Sequence, residues 1–422
     1  MNIRDDFPIF KNNPGLVFLD STASSQKPSY VIDGIKRFLE NDYSNIHRGM
    51  YSLAERSEEI YEKSKKKVCE MIGGKDWREV IYTFNSNYAL NLLSLSLKRT
   101  GWLKKWDVVL VSIVEHHANI VPWLILKEEI GIEVQYIAVK EDFSLDMEDL
   151  RKKLTPEVKV VSITQVSNVT WEVFPVEEIW KILKQIYPQN TPFFVIDASQ
   201  SVPHLKVDVR SIWCDFVFFT WHKIFADSGI GVLWWRKELL EKMHPGISWG
   251  GAISKVTQDG FISTWLPDRF EAGTPNVTWA ASMLYAFEYV EKIWWYPQLE
   301  NIEKELVLYT IERFQKMWAK SLWKNVDDFK KGDIVIFGSL SPIHRVWVFS
   351  FLVWWVHSHD ISEFLAEKNI CIRAWQHCAE PFLETLDTAH TCRMSLHIYN
   401  TKEDIDSFFT ALWEAVEAFK NL

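Results

Sequence analysis

Residues 192–223 read PFFVIDASQSVPHLKVDVRSIWCDFVFFTWHK, and two apolar runs inside this stretch decide the fold. Positions 193–196 and 216–219 are rich in Val, Ile and Phe, too short for helices and bounded by polar residues, the pattern of buried strands. Each run ends in polar chemistry: Asp197 on the first, His222 and Lys223 just beyond the second. In doubly wound sheets ligands bind beyond the carboxyl ends of the strands, so neighbouring strands deliver such groups to one crevice. An Asp after a strand is also how a helix N-cap reads, and a Lys there is also an ordinary solvated residue, so the rest of the chain must decide.

Outward from this stretch, strand-like runs alternate with helical periodicity. The spacing predicts helices at 28–43 and 53–72, with the polar loop NIHRGMYSL between them. Then follow strand 80–84, helix 87–99, strand 107–113, helix 118–129, strand 133–139, helix 146–154, strand 158–166 and helix 176–187, ahead of strands at 193–197 and 214–220. Such alternation implies βαβ units and a largely parallel sheet. Beyond about residue 280 the rhythm changes to long helices at 279–293 and 297–320, strands at 333–337, 346–353, 370–374 and 392–398, and helices at 360–368 and 402–419. The predicted fold class is α/β: a large, mainly parallel α/β domain over 21–295 and a smaller α+β domain over 296–422, on which 1–20 packs.

The 422 residues suffice for roughly two to three domains with a substantial core. A formal charge of −9 gives no basic field, which argues against nucleic acid or an anionic membrane as partner. The start, MNIRDDFPIF, lacks a cationic region followed by an apolar stretch, and the longest apolar run, 346–356, is too short to span a bilayer. Cys69, Cys214, Cys371, Cys378 and Cys392 form no CxxC pair, which suits a reducing, cytoplasmic compartment. One count stands out: 22 Trp against 16 Gly, where average usage of about 7% would give roughly 30 glycines.

An Asp and a Lys facing one crevice suggest pyridoxal phosphate (PLP). That cofactor needs a Lys for its Schiff base and an acidic partner for its pyridine nitrogen, so that the ring acts as an electron sink. In TFNSNYALN, Ser86 and Asn87 stand where a strand meets a helix; free N–H groups and the helix dipole favour a phosphate there, although Ser and Asn are also ordinary N-caps. His116 and His117 follow the strand 107–113, where an imidazole can stack on a pyridine ring. As a metal pair they are badly placed, since adjacent residues point apart and no third ligand is suitably spaced. Asn168 reads either as a donor to the cofactor's phenolic oxygen or as a turn residue. In CIRAWQHCAEP, Cys378 falls on a loop where a thiol can be reached, against the commoner reading of a small buried hydrophobe. Arg373 and Arg393 flank it, and Arg forks bind carboxylates bidentately, which suits an amino-acid substrate.

The stretches LDSTASSQKP, NIHRGMYSL, EHHANIVPW, VSNVTWEVFPV, IDASQSVPH, FFTWHKIFADSGIGVL, RFEAGTPN and RAWQHCAEP span almost the whole chain. In that order they resemble the cysteine desulfurases, PLP enzymes that take sulfur from L-cysteine, and more closely their second, SufS-like group. The resemblance implies the PLP-dependent transferase-like architecture (aminotransferase fold type I). It implies Lys223 as the Schiff-base lysine, Asp197 at the pyridine nitrogen, Gln200 and Asn168 at the phenolic oxygen and His116 on the ring. Thr220, His222, Ser86 and Asn87 are implied at the phosphate, with Thr274 reaching the phosphate of the other subunit of a homodimer. Arg393 with Arg373 nearby, and His47 and Arg48, are implied on the substrate side. Cys378 matches the nucleophile that takes sulfur as a persulfide for an acceptor protein of iron–sulfur cluster assembly, and no metal is implied. A selenocysteine lyase would use the same Lys223, Asp197 and Cys378, and a non-catalytic scaffold is the rival reading from a different class.

From that family the chain departs systematically. Glycine is expected where it carries Trp171, Trp221, Trp235, Trp249, Trp279, Trp347 and Trp375, and a Gly-Asp turn is usual at Trp106; at Trp123 the family also has Trp. Indole suits neither a positive φ nor a close backbone approach, and Trp221 is expected to push its bulk into the cofactor pocket. Overpacking typically costs about 1–3 kcal/mol per site, so more than half a dozen such changes exceed a marginal stability of about 5–15 kcal/mol. The reading is that most of these tryptophans are glycines in the cell, through UGA read as glycine. Milder departures are Ser21, Asn85, Asn87 and Gln376.

Overall fold

The computed structural model describes residues 3–293, 295–321, 329–340 and 346–420. Its larger sheet has seven strands, in the spatial order Val80–Thr83, Gly231–Trp235, Phe216–Thr220, Phe193–Asp197, Val158–Thr164, Val108–Ser112, Glu133–Ile137. The last five pair in parallel, whereas Gly231–Trp235 runs antiparallel to both its neighbours. Central strands such as Val108–Ser112 and Phe216–Thr220 are buried on both faces, which is why they read as unbroken apolar runs. In register, Thr164 stands beside Asp197 and Asp197 beside Phe218, so three carboxyl ends open side by side.

The strand Gly231–Trp235 is an addition to the sequence reading, because a short continuous apolar run cannot be assigned from periodicity alone. Gly231 lets this strand pass the start of the helix Ser86–Thr100: a Cβ there would lie 2.4 Å from the Asn85 backbone carbon. The exposed hairpin Ile253–Thr257 and Gly260–Ser263 also carries no clear alternation in sequence.

A second sheet takes the order Lys320–Ser321, Ile334–Phe337, Val348–Val353, Thr391–Ser395, Arg373–Trp375. Helix Lys402–Lys420 buries one stripe, including Ile405, Phe408, Leu412 and Ala415, at helical spacing. The strand expected over 370–374 divides in two. Ile370–Cys371 pairs in parallel with Val17–Phe18, while Arg373–Trp375 joins Thr391–Ser395. The chain's start is further tied by Arg4 Nη1 to Asp404 at 2.7 Å. No helix among the described residues is long and apolar enough to cross a membrane.

The tryptophans behave unequally. Trp221 does not enter the cofactor crevice, contrary to the sequence expectation: its indole is fully buried in the apolar core, 4.2 Å from the Phe287 ring. Trp106, Trp171 and Trp375 hold φ of +74°, +56° and +128°, and Trp213, Trp318 and Trp355 share the left-handed region. Trp123 donates its indole N–H to Asn119 Oδ1 at 3.4 Å, and Trp234 donates to Glu79 at 3.2 Å. The buried Nε1 atoms of Trp221, Trp235 and Trp347 have no partner among the described residues.

One buried ion pair fastens the segment ahead of helix Val277–Lys292. Glu271 accepts from Lys65 Nζ, Tyr82 N and Tyr61 Oη, each at 2.6 Å, and the Lys65 side chain is wholly enclosed. Lys65→Met should cost about 3–5 kcal/mol in denaturant unfolding, because it strands a buried carboxylate. Lys66→Met, at an exposed pair with Glu62, should cost about 0–1 kcal/mol. Equal losses would refute this view of Glu271.

Candidate active site

Past the three aligned carboxyl ends lies a cavity of about 420 Å³, within the usual range of about 300–1,000 Å³ for small-molecule sites. Lys223, His222 and Thr220 enter it from the strand Phe216–Thr220 and the turn that follows, and Asp197 and Gln200 from the neighbouring strand end. His116 and Asn168 come from two further loops, and Ser86 and Asn87 from the first turn of the helix Ser86–Thr100. The second sheet contributes Arg393 and Arg373, and Cys378 stands on the loop after Arg373–Trp375.

Burial pushes the Lys223 amine down to about 8, opposed by the Asp197 carboxylate. Burial pushes the Asp197 carboxyl up, opposed by the Ser199 N–H, which donates to Oδ1 at 2.8 Å, and by Lys223. A cationic ring nitrogen beside Asp197 would oppose that rise further. His116 is lowered to about 3 by burial and then by the charge of Lys223, so its ring is neutral. Its Nδ1 accepts from Ala118 N at 3.0 Å, which leaves the proton on Nε2. His222 is likewise lowered to about 3, by burial first.

The loop bearing Cys378 is held from two sides. Cys378 O accepts from His117 N at 2.7 Å, and His377 O accepts from the Asn168 side-chain amide at 2.7 Å. The Asn168 amide, read from sequence as a donor to the cofactor, thus fastens the Cys378 loop here. Trp375, His377 and Cys378 all have positive φ, a concentration of backbone strain found typically at functional sites. The Cys378 thiol is exposed. Arg393 is 4% exposed and donates Nη1 to Asn168 O at 3.2 Å.

Three expected residues stay outside. Thr274 lines a different, smaller cavity with Tyr61, Tyr82 and Trp279. His47 and Arg48 lie on the loop between helices Ser29–Asn41 and Ser52–Met71, where His47 Nδ1 meets Glu58 at 3.3 Å, and neither lines the Lys223 cavity.

Sequence reasoning matched the segment 20–27 within LDSTASSQKP but gave it no part in the site. The His222 carbonyl accepts from Ser25 N at 3.0 Å and from Ser24 Oγ and Lys27 Nζ at 3.1 Å, while Ser25 Oγ accepts from Phe225 N at 2.8 Å. This segment therefore fixes the turn that presents Lys223. It also passed over Glu115, whose buried carboxyl accepts from Thr164 N and Asn119 Nδ2 beneath His116 and is raised to about 8 by burial. The signal that could have found either is its place inside a stretch that carries the family resemblance, LDSTASSQKP for the segment and EHHANIVPW for Glu115.

The residues fit PLP. Thr22 Oγ1, Ser199 Oγ and Gln200 Oε1 are buried polar atoms of cavity-lining residues with no partner among the described residues, and each suits a polar ligand. An anion fits the first turn of Ser86–Thr100, where Asn85 Oδ1 caps Tyr88 N and the N–H groups of Ser86 and Asn87 face no helical acceptor. Because uptake of PLP needs a neutral amine, its rate in cofactor-free protein should rise with pH to a half-maximum near 8. A half-maximum near the ordinary lysine value of about 10.4 would contradict the burial of Lys223.

The aminotransferase class-V family model matches residues 17–408. A "Probable cysteine desulfurase" of Synechocystis sp. is 33% identical, over 99% of this chain and 96% of that protein, and one of Vibrio cholerae is 34% identical over 98% of each. The apo cysteine desulfurase of Thermococcus onnurineus aligns with a TM-score of 0.89 at 31% identity, over 99% of this chain and 98% of that one. With the fold, the Lys–Asp crevice and full-length similarity in agreement, the chain belongs to the class-V aminotransferase family and, within it, to the cysteine desulfurases.

Proposed function

We propose that this cysteine desulfurase, of the second, SufS-like group, holds PLP on Lys223, binds L-cysteine through Arg393 and moves its sulfur to Cys378. The observation that carries the reading is the meeting in one cavity of Lys223 and Asp197 from the large sheet with Arg393 and Cys378 from the second. Asp197 would hold the ring nitrogen, Ser86, Asn87, Thr220 and His222 the phosphate, and His116 and Gln200 the ring and its phenolic oxygen. When bound, the cofactor supplies the electron sink that makes the substrate's Cα proton removable.

The chain's own residues do the rest. Lys223, with its amine near 8, is neutral often enough at neutral pH to take the Cα proton. Arg393 fixes the substrate carboxylate with its remaining guanidinium donors. Cys378 as thiolate attacks the substrate sulfur: the S–S bond forms as the Cβ–S bond breaks, and the bonding pair stays with the carbon skeleton. That skeleton takes up two protons, one at Cβ where the sulfur left and one at Cα to replace the proton removed, and leaves as L-alanine, while Cys378 keeps the sulfur as a persulfide for an acceptor protein of iron–sulfur assembly. The exposure of the thiol suits such a hand-over.

Thr274 gains a role in a homodimer whose RFEAGTPN loop reaches the partner's site. The strong exposure of Met50, Trp249 and Trp265 supports a covered face in that region. In this reading residues 21–295 form the cofactor domain, 296–422 the domain carrying Cys378, and 1–20 packs on the latter, in a cytoplasmic enzyme.

We also read most of the tryptophans at family glycine positions as glycines in the cell. The left-handed backbone of Trp106, Trp171 and Trp375 supports this, and so do the unpartnered indoles of Trp221, Trp235 and Trp347 beside the bonded Trp123. The coding DNA should carry UGA at 171, 221 and 375; UGG at those codons would end the idea.

Cys378→Ala should keep the visible absorption band of lysine-bound PLP and lower alanine release from L-cysteine on the order of 10²-fold or more. It should also form no persulfide detectable by mass spectrometry. An unchanged rate would remove Cys378 from the mechanism.

A further inference from the structure

Arg373 and Arg393 are direct cross-strand partners in the antiparallel pair Arg373–Trp375 and Thr391–Ser395. Like charges facing each other in this way are destabilising, so something must offset them. The offset comes from the chain's first strand. Val17 and Phe18 pair in parallel with Ile370 and Cys371, and two residues further on Asp20 faces Arg373 while bridging to Ser395. Asp20 accepts from Arg373 Nε at 3.1 Å and Nη2 at 3.0 Å, a two-pronged ion pair. Arg393 Nη2 stands 3.7 Å from Asp20, beyond hydrogen-bond reach, and Arg393 Nε has no partner among the described residues.

We propose that Asp20 is a positioning and affinity-setting residue: it ties up Arg373, leaves Arg393 as the arginine for the substrate carboxylate, and weakens that grip by its own negative charge. The inference rests on the desulfurase reading above. One substrate carboxylate entering a site with two cations and one anion meets a single net positive charge. Removing Asp20 leaves two, which tightens carboxylate binding but slows the release of alanine, whose carboxylate is the same as that of cysteine. An ion pair that merely held the two sheets together would give a looser site when either partner is removed.

The test uses PLP-loaded enzyme and 3-mercaptopropionate, which carries the carboxylate and thiol of cysteine without its amine, with binding read by calorimetry. Asp20→Asn should bind it about fivefold more tightly or better, and Arg373→Gln about fivefold more weakly, as expected for charges a few ångströms apart near a protein surface. The Asp20→Asn/Arg373→Gln pair, again with a single net positive charge, should return to within about threefold of wild type, and Asp20→Glu should remain within about twofold. With L-cysteine, Asp20→Asn should lower KM and kcat together. Weaker probe binding in both single variants, or a double variant as weak as Arg373→Gln, overturns the proposal. Wild-type enzyme that releases no alanine from L-cysteine sinks the desulfurase reading instead, while the probe still reports on Asp20.

Discussion

The parallel register of Val158–Thr164, Phe193–Asp197 and Phe216–Thr220 is the constraint on which the site depends. Parallel strands end together, so the residues following them share one edge of the sheet. A one-residue slip would turn Asp197 to the opposite face and separate it from Lys223. In that register Thr164 stands beside Asp197 and Asp197 beside Phe218. The antiparallel Gly231–Trp235 then joins Phe216–Thr220 to the edge strand Val80–Thr83 and passes close to the start of the helix Ser86–Thr100.

The chemistry needs a second layer that this sheet cannot supply. Arg393 and Cys378 come from the other sheet, and their places depend on contacts made across long stretches of chain. Asn168 joins the large sheet's loops to His377, His117 joins them to Cys378, and residues 20–27 join both to the turn of Lys223. A buried thiol is inert and a desolvated amine is easily neutralised; the structure leaves Cys378 exposed and Lys223 half-buried with its amine lowered to about 8 by desolvation.

Much of this was legible in the chain. Strand 193–197 was placed to the residue, because a buried strand bounded by Pro192 and a polar turn has little other reading. That Asp197 and Lys223 face one crevice was legible for a related reason: polar groups at the ends of neighbouring apolar runs have a defined place in an α/β fold, while Cys378 was expected on a loop and stands on one. Asp20 and Lys27 were not, since their partners lie 353 and 195 residues away and local pattern carries no trace of such pairing. The orientation of Trp221 was missed because it stands in the turn after the strand, where adjacency in sequence to His222 and Lys223 does not fix where a side chain points, and its ring packs against Phe287 instead. Thr274, expected at the other subunit's phosphate, lies outside this chain's cavity, and so do His47 and Arg48, whose motif position alone does not say where their side chains reach.

The central claim, that one half-buried lysine in the turn after Phe216–Thr220 carries the cofactor, is tested most directly by trapping. PLP-loaded protein is reduced with borohydride and digested, and the modified peptide is located by mass spectrometry. The account predicts the label on Lys223 alone. Label on Lys27, whose amine lies against the His222 carbonyl and is also lowered to about 8 by burial, or on no lysine at all, would contradict it.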